Sequence, residues 1–100
     1  MKLTSKEIDR LQIFTAGEMA RRRKQKGIRL NYPESVALIT DEVLEAVRSG
    51  VSYEDVVNFA GGILSCEDVM EGVKELIEVI QVEAIFPDGT RLLTIRNPIR

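Results

Sequence analysis

Residues 81–99 read QVEAIFPDGTRLLTIRNPI: an alternating apolar and polar stretch, a Pro-Asp-Gly turn and a second alternating stretch. Period-two alternation on both sides of a short turn predicts an antiparallel hairpin, with strands over about 80–86 and 90–96. Pro98 has no amide to donate, so pairing ends near Asn97. Ile80, Val82, Ala84 and Phe86 share one face of the first strand, and Ile85 lies on the other. In the second strand Leu92 opposes the side that carries Leu93 and Ile95. Such a ribbon is marginal alone in water, and it has two edges of unpaired backbone groups. It therefore needs cover, from its own chain and from a partner.

Working back from the hairpin, the preceding residues read as helices. Thr4 followed by Glu7 is a capping-box pattern, and Ile8, Leu11, Phe14 and Met19 follow at approximately helical spacing. A helix is expected over about 5–26, with Gly27 as a left-handed cap. Pro33 suits a first helical position, with Asn31 and Tyr32 at the cap and Glu34 near the positive end of the dipole. Val36, Ile39, Val43 and Val47 then form a wide apolar stripe that stops at Ser49-Gly50, giving a second helix over about 33–49. Ser52 with Asp55 opens a third over about 53–61, ended by Gly61-Gly62. Ser65 with Asp68 opens a fourth, expected over about 66–73, after which the period switches to that of a strand. The fold class is α+β: one domain over 1–100, a small bundle of about four helices followed by the hairpin.

Composition removes several function classes. The chain has 100 residues, 30% of them charged, with 14 Lys plus Arg against 16 Asp plus Glu and a net charge of -2. The whole-chain balance gives no electrostatic reason to bind nucleic acid or an anionic membrane. No run has membrane-spanning or signal-peptide character, so a cytoplasmic location is expected. Histidine is absent, and Cys66 is the single cysteine. The commonest general base, the commonest metal ligand and every Ser-His or Cys-His nucleophile are thereby missing. Catalysis from within this chain is not expected, and it should hold no cofactor of its own.

Three features remain. The run Arg21, Arg22, Arg23, Lys24, Lys26 and Arg29 could contact phosphates, but no aromatic residues interleave with it as base stacking requires. A solvated or interfacial helix face is the plainer reading. Asp41 and Glu45 share a helix face, with Glu42 beside them; a metal or proton-transfer role competes with ordinary exposed like charges. Gly61-Gly62 lacks the lysine and hydroxyl of a phosphate loop and reads as a helix terminator.

The stretches LNYPESVALI, DVMEGV and IQVEAIFPDGTRLLTIRNPI, with the opening MKLTSKEIDRLQIFTAGEMARRRKQKGIRLNYPE, resemble the small gamma subunit of bacterial urease from end to end. Two departures stand out. Prolines are frequent in that pattern at the positions of Lys74 and Glu78, and histidine at that of Arg96. The resemblance implies a non-catalytic subunit of a nickel enzyme that converts urea to ammonia and carbamate. It further implies that both nickel ions lie in the alpha subunit, on histidines, a carbamylated lysine and an aspartate. Alpha, beta and gamma would form a heterotrimer, which associates into a trimer of heterotrimers or a larger particle. Rival readings are a small nucleic-acid-binding module using residues 21–29 and an unrelated protein-binding adaptor. The residues expected at an assembly interface are Arg21, Arg22, Arg23, Asn31, Tyr32, Val82, Ile85, Phe86, Leu92 and Ile95.

Overall fold

Capping chemistry sets where the two long helices begin. In the computed structural model, which describes residues 2–100 and leaves Met1 outside the described residues, Thr4 is extended and its hydroxyl accepts from the Glu7 amide at 3.1 Å. The Glu7 carboxylate accepts from the Thr4 amide at 2.8 Å, closing the box at the start of α1 (Ser5–Gln25). Asn31 and Glu34 repeat the arrangement at the start of α2 (Tyr32–Arg48), with Pro33 in its first turn. Each box satisfies two amides that the first turn would otherwise leave unpaired. The helix α3 (Tyr53–Ala60) follows, capped by Ser52.

The fourth helix expected over 66–73 is not one helix. Ser65 and Asp68 do engage each other, the Asp68 carboxylate accepting from the Ser65 amide at 2.9 Å, but only a single 3-10 turn forms over Cys66–Asp68. Val69 is buried and extended instead, in a parallel bridge to Leu30. The Leu30 amide donates to the Asp68 carbonyl at 2.9 Å and the Met70 amide to the Leu30 carbonyl at 2.8 Å. Gly72 then takes φ +88, which no continuing helix can contain, and one turn of helix follows as α4 (Val73–Leu76). Tertiary pairing and a left-handed glycine thus overrule a local cap signal.

The strands β1 (Val79–Phe86) and β2 (Gly89–Arg96) pair antiparallel, with Phe86 opposite Gly89 and Val79 opposite Arg96. Burial alternates strictly along β1: Ile80, Val82, Ala84 and Phe86 face inward. Leu93 and Ile95 complete that face, and it lies mainly against α2, with α3 near β2. The core is closed by Leu38, Ile39, Val43 and Val47 from α2, Val56 and Ala60 from α3, and Ile99 from the C-terminal segment.

α1 stands apart from this core. It buries only Gly17 and Ala20, and its partner is α2. Ile8, Leu11, Phe14 and Met19, which follow helical spacing, remain about half exposed. The small residues face α2 because they let the helices come close. A Cβ on Gly17 would stand 3.1 Å from the Asp41 Cβ and 3.2 Å from the Ala37 carbonyl oxygen.

Candidate assembly surface

The charged seam between α1 and α2 accounts for much of the basic run. Asp41 is buried, with 2% of its surface exposed, and both of its oxygens are taken. Arg10 Nη1 donates to Oδ1 at 2.8 Å and Arg21 Nη2 to Oδ2 at 2.5 Å. Arg21 also donates to Glu18 at 2.6 Å and to Glu42 at 3.0 Å, while Arg23 pairs with Glu34. Partial burial alone would lower the pKa of Arg21, but Asp41, Glu18 and Glu42 together raise it, so the guanidinium is held firmly protonated. Arg21 and Arg23 therefore join the chain's own helices rather than face outward. A carboxylate placed at 21 would meet the buried Asp41.

Arg22 is turned outward, with only a loose 3.5 Å pairing to Glu18, and Lys24, Lys26 and Arg29 are exposed beside it. Asn31 is engaged as the α2 cap, and Tyr32 next to it is exposed. Of the hairpin residues expected at an interface, Val82, Phe86 and Ile95 are buried in the chain's own core. This corrects their placement: a docking partner could reach them only by unpacking the domain. Ile85 and Leu92 lie on the opposite face, 79% and 53% exposed. That ribbon is braced from the α3 side. The Tyr53 hydroxyl donates to the Leu92 carbonyl at 3.1 Å, and the Arg91 guanidinium lies 4.3 Å from the centre of the Tyr53 ring.

The surface that sequence reasoning missed is on α1. Leu11 and Phe14 join Leu44, Val47 and Ile85 around an open groove of about 720 Å³ between α1, α2 and β1. A second apolar hollow is lined by Leu3, Ile8, Leu11 and Met19 on the outer side of the same helix. Gly17 and Ala20 were the available signal, since small residues three apart mark the side of a helix that approaches another closely.

The start of α2 also carries a titrating contact. Burial pushes the Glu34 carboxyl up, but the Asn31 amide and the Arg23 guanidinium outweigh it and hold the group below the usual glutamate range. A depressed carboxylate adds stability that is complete above its unfolded pKa, about 4.3, and is lost as pH falls through the lower folded value. Glu34→Gln keeps a capping side chain and removes the charge. We expect its denaturant midpoint to fall below that of the parent at pH 7, by about 1 kcal/mol in stability, with the gap closing as the pH is taken toward 2. Urea titrations at both pH values measure this.

Metal chemistry does not fit these residues. No group of three or more Cys, Asp or Glu among the described residues is placed to hold an ion. The acidic cluster of Asp41 with Glu42 and Glu45 is met by Arg10 and Arg21. Carboxylates already neutralised by guanidinium groups are poor ligands for nickel, which favours imidazole and thiolate.

The geometry defines a small α+β domain that buries one carboxylate between two arginines at its α1–α2 seam and leaves apolar faces on a helix and a hairpin uncovered, the pattern of a protein that works within an assembly. Residues 1–99 match the family described as "Urease, gamma subunit", and the chain belongs to that family. It is 51% identical over 100 residues to the "Urease subunit gamma" of Haemophilus influenzae strain PittGG, and 48% identical to that of Actinobacillus pleuropneumoniae serotype 5b strain L20. Both alignments cover the whole of each chain. A "Urease subunit gamma/beta" of Pseudomonas syringae pv. syringae strain B728a is 51% identical over 100 residues, which make up 43% of that protein.

Proposed function

We propose that this chain is the non-catalytic gamma component of a cytoplasmic, nickel-dependent urease that converts urea to ammonia and carbamate. Both nickel ions and the catalytic residues would belong to the alpha subunit. The gamma chain would join alpha and beta subunits in a heterotrimer, three of which associate further. The observation that carries this reading is the pairing of family membership with a chain that has no histidine and whose acidic cluster is neutralised by arginines. The gamma/beta name of the Pseudomonas relative supports a beta partner. The exposed Ile85, Leu92, Leu11 and Phe14 supply apolar area for such contacts. No helix among the described residues is long and apolar enough to cross a membrane.

The test is purification from native cells and mass determination of what remains bound. Urease activity should accompany the complex, and the isolated chain should neither hydrolyse urea nor take up nickel stoichiometrically at submicromolar concentration in calorimetry. Tight stoichiometric nickel uptake by the isolated chain, or its purification without large urease subunits, would contradict the proposal.

A further inference from the structure

We propose that α1 is a latched arm, which opens from α2 as a unit while the rest of the domain stays folded, and that Asp41 is the latch.

The apolar hold on α1 is slight. Of its 21 residues only Gly17 and Ala20 are buried, and no element other than α2 makes more than marginal contact with it among the described residues. By contrast α2 packs on α1 with one side and contributes Leu38, Ile39, Val43 and Val47 to the core shared with α3 and the hairpin. α1 gives the core a single residue, Ala20, whereas α2, α3 and the hairpin supply most of the rest.

What fastens the arm is charge. Arg10, just under two turns before Gly17, and Arg21, just over one turn after it, grip the two oxygens of Asp41 at 2.8 and 2.5 Å. Toward its N-terminus α1 stands off the domain and leaves the 720 Å³ groove, bridged by Arg10 and by an exposed 3.5 Å pairing of Lys6 with Glu83. When the arm opens, the Asp41 carboxylate and both guanidinium groups regain water, so the loss of their pairing is largely offset. Most of a helix's stability in a protein comes from tertiary packing, so once α1 leaves α2 its amides open and exchange more readily.

Hydrogen exchange of the full chain at pH 7, followed by mass spectrometry, tests this with the parent, Asp41→Asn and the milder Arg10→Gln. In the parent, peptides from the centre of α1 should exchange roughly tenfold or more faster than those from the centre of α2 and from the hairpin. Asp41→Asn should accelerate α1 by a further factor of about ten and leave α2 and the hairpin within about twofold, with Arg10→Gln acting in the same direction by less. Equal protection of α1 and α2 in the parent, or one common acceleration of all segments in a variant, would overturn the proposal. If Asp41→Asn does not fold, Arg10→Gln decides by the same comparison.

Discussion

Gly89→Val should leave the helices of the isolated chain in place and still cut the recovery of assembled urease by about an order of magnitude, with activity falling in step. The reason is backbone conformation. Gly89 has φ +124, a region that L side chains rarely adopt, and it closes the hairpin opposite Phe86. Nothing lies within 4 Å of a Cβ built there, so the cost is strain and not collision, on the order of 1–3 kcal/mol. A domain of ordinary stability survives that loss. The turn does not survive it unchanged, and the strand ends beside it, which carry Ile85 and Leu92 on the outer face, are displaced with it. Each 1.4 kcal/mol spent on restoring them is a factor of about ten in association. Gly89→Ala should behave similarly, because it shares the backbone and not the bulk. Circular dichroism of the isolated chain and the yield of complex from co-expressed subunits measure the two halves. Full recovery of active enzyme with Val at 89, or with the chain truncated before Gln81, would show that the hairpin has no part in assembly.

Gly17→Leu should undock α1. The space for a side chain is absent: a Cβ already meets Asp41 Cβ at 3.1 Å and the Ala37 carbonyl oxygen at 3.2 Å, and the second of these is backbone that cannot swing aside. Three further carbons must push the helices apart and draw Arg10 and Arg21 off Asp41. Overpacking of this kind costs about 1–3 kcal/mol of docking, more than the seam's few buried atoms can withstand. Limited proteolysis should then cut within α1 while residues from α2 onward persist. Gly17→Ala is the control. Its tight contact is offset by a gain of up to about 1 kcal/mol in helix propensity, so its stability should stay within about 1 kcal/mol of the parent. Parent-like protease resistance of Gly17→Leu would refute the packing account.

The hairpin, the Thr4–Glu7 box and the Asn31 cap were legible because their chemistry is local: alternation, a Pro-Asp-Gly turn, and side chains that satisfy amides three residues away, whereas the return bond from Glu34 to the Asn31 amide was not read. Residues 66–73 were not, because their outcome depends on Leu30, far away in the chain. The local signal at Ser65 marks the start of a turn over Cys66–Asp68 and carries no information on whether a helix continues from it. Arg21 misled for a related reason. Its neighbours are charged, and its partner Asp41 is on another helix. A hint existed, since Asp41 follows Leu38 by three residues and so falls on the inward side of α2, where a carboxylate needs partners. Val82, Phe86 and Ile95 could be assigned to one side of the ribbon from alternation, but alternation does not say which side meets the chain's own helices.

The Leu30–Val69 bridge has a consequence for the order of folding. It ties the residue just before α2 to the segment after α3, closing a loop that contains both helices. Bringing such distant residues together carries an entropy cost that only packing of α2, α3 and the hairpin can offset, so this closure belongs to a late, cooperative step. α1 lies wholly outside the loop. It can arrive after closure, or leave again, without threading or breaking the bridge, and mutations along its seam should change the unfolding rate of the arm while leaving the folding rate of the closed unit nearly untouched.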